Sequence, residues 1–146
     1  MRNKQQALDT IRFVLDFMGK NTKYAPELIY EVMNVESNNF QCNTQMENGP
    51  ARGYIQMEMA TFYDIVDNYL KYRPELMRCF ETIRNKNMPN DWDLRMNVAL
   101  QIFMCRCHFL RVRDPIPSTK KARAKYWVDN YNCGGKGTVK HYMDLN

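Results

Sequence analysis

Three short segments of this sequence carry side chains suited to acid–base work on a bond with a poor leaving group. Glu36-Ser37 closes an apolar, helix-like stretch. After a polar loop comes Gly53-Tyr54-Ile55-Gln56-Met57-Glu58-Met59-Ala60-Thr61, and near the C-terminus stands Tyr131-Asn132-Cys133-Gly134-Gly135-Lys136-Gly137. Breaking a sugar–sugar bond requires a proton on the leaving oxygen while positive charge develops at the anomeric carbon. A carboxylic acid can give that proton when apolar surroundings raise its pKa towards working pH. Glu36 has a suitable position, because it extends the helical face of Val32 and Met33 and lies just before the polar loop. By helical pattern alone, a solvent-facing glutamate at a helix end is the simpler description. The two downstream segments are what favour chemistry.

Each accompanying residue has a chemical and a structural reading. Gly53 lacks a Cβ, so its backbone can approach a substrate closely or take φ > 0. Gln56 can hydrogen-bond an acetamido or hydroxyl group, or cap backbone within its own loop. Tyr131 offers a ring for sugar packing and a hydroxyl, yet a lone aromatic is commonly core. Asn132 can bond substrate or the surroundings of Glu36. Tyr54 and Met57 read as wall or core residues. Glu58 and Asp64 are candidates for a second carboxylate by sequence position only.

Taken together, the segments resemble the soluble lytic transglycosylase branch of the lysozyme-like proteins, and within it the transglycosylase-type domains of tailed bacteriophages. The family's Glu-Ser pair is matched by Glu36-Ser37, followed by Phe40. Its Gly-Leu-Met-Gln segment is matched by Gly53-Tyr54-Ile55-Gln56, its Ala-Thr by Ala60-Thr61, and its Tyr-Asn-Ala-Gly motif by Tyr131-Asn132-Cys133-Gly134. Asn97-Val98-Ala99 and Arg106 fall where the family has a long helix beneath the site. The likeness runs over roughly residues 26–140. Two departures stand out: Glu58-Met59 replaces the usual Met-Pro, and Cys133 replaces a small alanine.

The resemblance implies a mainly α, lysozyme-like single domain over 1–146, with an N-terminal helix and linker over 1–24 and a catalytic core over 25–146. It implies Glu36 as the one catalytic acid, with Ser37, Gly53, Tyr54, Gln56, Tyr131 and Asn132 as substrate-binding residues. Glu58 is the candidate second carboxylate. No metal or cofactor is expected. The implied partners are peptidoglycan glycan strands and other phage virion proteins. The implied activity is lytic cleavage of the MurNAc–GlcNAc bond. Goose-type lysozymes share the broad fold and hydrolyse instead, and an inactive lysozyme-like virion protein is a further alternative.

The elements that must position these residues are helical. Ala7, Ile11, Val14, Leu15 and Met18 fall at helical spacing, with Gly19 as a stop. Pro26 suits the first turn of a second helix with Leu28, Ile29, Val32 and Met33 on its apolar face. Residues 38–52 form a polar loop, with at most a tiny hairpin within 38–57. Helices are expected from about Glu58 to Tyr69 and from Pro74 to about Asn85. The spacing of Leu94, Val98, Ile102, Cys105, Phe109 and Val112 predicts one long central helix, capped by Asn90 or Asp91 and ended by Pro115 and Pro117. Ser118 can cap a helix to about Tyr131, and a short C-terminal helix follows the Gly-rich turn.

Composition bounds the rest. The 146 residues fit one domain able to bury a core. No apolar run nears the roughly 20 residues of a membrane span. Asp9, Arg12 and Asp16 interrupt any signal-like apolar stretch, so synthesis in the host cytosol is expected. A cell-wall enzyme made there would reach the wall by injection, a pore or lysis. The five cysteines lack a disulfide or metal-site spacing and read as buried or partly buried thiols. A net charge of +5 suits an anionic partner, whether cell-wall polymer or nucleic acid. A nucleic-acid binder would need a clustered basic helix, and only Lys120–Lys125 approaches one. Such a run reads as a solvated helix face, so no nucleic acid is expected.

Overall fold

The computed structural model describes residues 3–40, 51–131 and 137–146. Its architecture is mainly α. In chain order the elements are α1 (Lys4–Phe17), α2 (Ala25–Glu36), β1 (Ala51–Arg52), β2 (Met57–Glu58), α3 (Met59–Asn68), a 3-10 turn (Leu70–Tyr72), α4 (Pro74–Ile83), α5 (Asn90–Met96), α6 (Val98–Leu110), α7 (Lys120–Asn130) and α8 (Val139–Leu145). The two strands pair antiparallel, with Ala51 opposite Glu58 and Arg52 opposite Met57. Among the described residues, no helix is long and apolar enough to cross a membrane.

Local chemistry sets the helix ends. The Asn3 side chain accepts from the amides of Gln5 and Gln6 and so starts α1. Gly19, at φ +69°, follows its end. Pro26 sits in the first turn of α2, where a missing N–H is harmless. Thr119 rather than Ser118 caps α7, accepting from the Ala122 amide. Neither Asn90 nor Asp91 caps α5; Pro89 holds that position.

The expected long central helix is two helices. Asn97 leaves helical geometry at φ −96°, ψ 95°, and its side chain caps α6 by accepting from the Leu100 amide. Its amide nitrogen donates to the Ile83 carbonyl and to Asp93. Gln101 donates to the Leu94 and Arg95 carbonyls that the break exposes. Apolar spacing runs unbroken across this point, so periodicity alone is blind to it.

α6 is the axis of the core. Every residue from Leu100 to Cys107 is buried, which is the pattern of a helix enclosed on all sides. α1 packs on α2 and α6, and its Ile11, Val14 and Leu15 join the same core as Leu28, Ile29, Phe103 and Trp127. Truncating a fully buried side chain such as Phe103 to alanine would cost about 3–5 kcal/mol. Cys105 and Cys107 are buried free thiols and Cys79 is half-buried, while Cys42 and Cys133 lie outside the described residues.

The basic run 120–125 departs from its expected solvated face at Arg123. This side chain is buried and grips Glu31 of α2 with two bonds, Nε to Oε1 at 2.8 Å and Nη2 to Oε2 at 2.9 Å. Tyr142 of α8 donates to Glu31 Oε1 at 2.6 Å, and Arg123 Nη1 donates to the Ser118 carbonyl. These partners offset the cost of burying both charges. Asn34 of α2 also donates to the Leu145 carbonyl, so α7 and α8 are fastened along the back of α2.

Candidate active site

α2 ends at Glu36 because the chain beyond it turns into left-handed backbone. Asn38, Asn39 and Phe40 have φ of +51°, +61° and +63°. Asparagine tolerates this region, whereas phenylalanine is strained there by an amount on the order of 1 kcal/mol or more. Two contacts hold it. The Phe40 amide donates to Ser37 Oγ at 2.7 Å, and its ring packs between Tyr30 and Tyr54, with the Tyr54 contact edge-on at 5.3 Å between centroids. Ser37 Oγ in turn donates to the Met33 carbonyl at 2.5 Å. Its hydroxyl is fully enclosed and used in both directions, so Ser37 shapes the exit from α2 and does not face outward.

The expected hairpin is present at its strands, and its turn is Gly53–Gln56. Gln56 is itself left-handed at φ +50°; its amide and its side-chain Nε2 both donate to the Gly53 carbonyl, at 3.0 and 2.8 Å. The Gln56 carboxamide therefore caps its own turn here. Gly53 is required on two counts: φ is +75°, and a Cβ would lie 2.7 Å from Gln101 Cδ and 2.9 Å from the Leu94 carbonyl oxygen. Gln101 Oε1 accepts from the Tyr54 amide at 3.0 Å, and Arg52 pairs with Asp91 of α5 at 2.7 Å. The break between α5 and α6 thus carries the turn.

α7 delivers the third segment. The Tyr131 hydroxyl donates to the Ile55 carbonyl at 2.6 Å. Its ring stacks on Phe109 at 5.3 Å and meets His108 edge-on at 4.7 Å. Burial pushes its phenol well above the ordinary range, with the neighbouring Cys105 and Glu36 adding to the shift. Asn132 lies outside the described residues.

One turn earlier on α7, Trp127 Nε1 donates to Glu36 Oε1 at 3.0 Å. Burial pushes the Glu36 carboxyl up to about 7, and the indole bond, which favours the charged form, pulls against it. Near neutral pH the acid and its conjugate base are therefore comparably populated. A group so poised can give a proton and take one back.

The structure thus brings Glu36, Tyr131 and the Tyr54-Ile55 backbone into one locality, with Trp127 bonded to Glu36 and Phe40 packed on Tyr54. Glu58 is exposed, and its side chain makes no cap hydrogen bond to α3. Asp64 is exposed and engaged by Arg111 at 2.7 Å and by Asn68; the Arg111 bond, then the Asn68 bond, lowers its pKa. Among the described residues, no group of three or more His, Cys, Asp or Glu side chains is arranged to hold a metal.

Trp127 and Gln101 are the site residues that sequence inspection passed over. Trp127 had one usable signal, its place four residues before Tyr131, hence on the same face of α7. Compared with known proteins, the chain matches no family model, no curated protein and no solved structure.

Proposed function

We propose that this chain is a lysozyme-like lytic transglycosylase that cleaves the β-1,4 bond between N-acetylmuramic acid and N-acetylglucosamine in peptidoglycan. The observation that carries the proposal is Glu36, a carboxyl raised to about 7 at a helix end, beside the segment Gly53–Gln56 and Tyr131. Phage origin, and action as a virion or lysis protein, belong to the same proposal and rest on the motif resemblance alone.

In the proposed reaction, protonated Glu36 gives its proton to the glycosidic oxygen as the bond to the anomeric carbon breaks. The muramic 2-acetamido oxygen stabilises the cationic centre. Glu36, now a carboxylate, takes the proton from the C6 hydroxyl as that oxygen closes on C1, leaving a 1,6-anhydro sugar. The nucleophile is already part of the substrate, so one carboxyl suffices and no water need be held. Trp127 keeps the carboxyl in place and supports its charged form midway. Tyr131 holds the Gly53–Gln56 turn beside it through the Ile55 carbonyl.

Mass spectrometry of digested peptidoglycan tests this directly. Anhydro-muropeptides are the expected product. Reducing ends would replace the transglycosylase with a hydrolase, and absence of any product would leave a structural role.

A further inference from the structure

Among the described residues two arginines are buried, and their partners differ in charge. Arg123 has Glu31. Arg106 on α6 is only 4% exposed, yet no ion pair among the described residues includes it. Its Nε donates to the Lys20 carbonyl at 3.0 Å and its Nη2 to Thr22 Oγ1 at 3.5 Å, both uncharged oxygens. Its Nη1 has no hydrogen-bond partner among the described residues, which leaves one arm of the guanidinium open to a ligand. Arginine keeps its charge in proteins, so a buried guanidinium without a counter-charge is strongly unfavourable.

Arg106 lines a pocket of about 440 Å³ between the α1–α2 link, the end of α6 and the segment 111–117. Thr22, its hydrogen-bond partner, lines the same pocket, and the unbonded Nη1 is not among the fully enclosed polar atoms, so the charged end of Arg106 reaches the pocket. Exposed Lys23 and Arg113 add two further cations, and Asp114 is the one acid among the lining residues. Val112 and Ile116, both half-buried, supply apolar wall over the buried rings of Phe109 and Tyr126. A planar, partly unused guanidinium inside an apolar cup suits a planar or tetrahedral oxyanion carried on an apolar body.

We infer that this pocket is a second binding site, for a small ligand with a carboxylate or phosphate head set on Arg106 and an apolar body against Val112 and Ile116. The site is independent of the Glu36 proposal, and its test reads binding rather than cleavage.

Calorimetric titration of the whole chain with phenyl phosphate, phenylacetate, benzyl alcohol and inorganic phosphate decides the matter. At least one aromatic anion should bind saturably, with the alcohol and inorganic phosphate about tenfold weaker or more. Which of the two anions binds tighter identifies the head group. The paired exposed substitutions Lys23→Glu and Arg113→Glu should weaken binding about tenfold or more, Arg106→Met should abolish it, and Glu36→Gln should leave it unchanged. The Lys23/Arg113 pair lies at exposed positions, so the test stands even where Arg106→Met fails to fold. No binding of either anion, equal binding of the alcohol or of inorganic phosphate, or indifference to the Lys23/Arg113 changes would overturn the inference.

Discussion

Trp127 Nε1 lies 3.0 Å from Glu36 Oε1 and donates to it, so the one side chain among the described residues that hydrogen-bonds this carboxyl works against the burial that keeps it protonated. Burial is the larger effect and lifts the carboxyl; the indole bond limits the rise. The resting pKa of about 7 is a balance that a single substitution can tilt.

Trp127→Phe removes the donor and keeps an aromatic ring. With less support for the charged form, the Glu36 pKa should rise further, by about one unit or less. A reaction that begins with protonated Glu36 loses rate as pH rises through about 7 in the native protein. In the variant that alkaline limb should move to higher pH, at a cost of about 1–3 kcal/mol in stability from the smaller ring. Profiles of kcat/KM against pH check this; a limb that stays put or moves down would separate Trp127 from the acid.

Glu36→Gln should abolish cleavage, since an amide keeps the shape and cannot donate the acid proton. It should also stabilise the fold in a pH-dependent way. The folded pKa of about 7 lies above the ordinary 4.5, so native Glu36 carries no penalty below pH 4.5. The penalty grows between 4.5 and 7 and is complete above that, at about 3 kcal/mol. Denaturation at pH 5 and pH 8.5 should therefore show the advantage of the variant widening with pH. A pH-independent difference would contradict an elevated Glu36 pKa.

Glu58→Gln distinguishes the two cleavage chemistries. For a transglycosylase the change should lower activity modestly at most, because the C6 hydroxyl and Glu36 already supply nucleophile and base. An inverting hydrolase needs a second carboxylate about 6.5–9.5 Å from the acid to activate water, and losing it costs ~10²–10⁴-fold. Near-total loss of rate with the fold intact would decide for hydrolysis.

Gly53→Ala should destabilise by about 1–3 kcal/mol, because a Cβ would meet both Gln101 and the Leu94 carbonyl at a positive φ. Since the same turn offers Ile55 to Tyr131, activity should fall as well. Equilibrium unfolding in urea measures the first effect, and a variant as stable as the native chain would show that the turn relaxes freely.

Much of this was legible in the residues themselves. Ile11, Val14 and Leu15, or Leu28, Ile29 and Val32, recur at helical spacing, and that spacing marks the faces that are buried. What periodicity cannot convey is the partner across the fold. Arg123 looks like its lysine neighbours in a basic run, and only the approach of α2 turns it into the counter-ion of Glu31, 92 positions away in sequence. Trp127 likewise gains its significance from Glu36, 91 positions earlier. The break at Asn97 was hidden for a different reason: Leu94 and Val98 keep the apolar rhythm while a side-chain cap replaces one turn of backbone bonding. Glu36, the Gly53 turn and Tyr131 could be singled out as candidates by residue type and order, whereas the enclosure of Ser37 depended on Phe40 folding back over it.

The two side-chain pairs that link α2 to α7 have a mechanical meaning. Glu31 and Glu36 are tied to Arg123 and Trp127, which lie a single turn apart on α7. One tether leaves a helix free to swivel or slide; two tethers at different heights remove both freedoms. Glu36 is therefore expected to move with α7 as one unit, independently of the 51–58 hairpin. Amide hydrogen exchange should show α2 and α7 opening together, with the hairpin amides exchanging earlier. Independent opening of the two helices would mean that the tethers act separately.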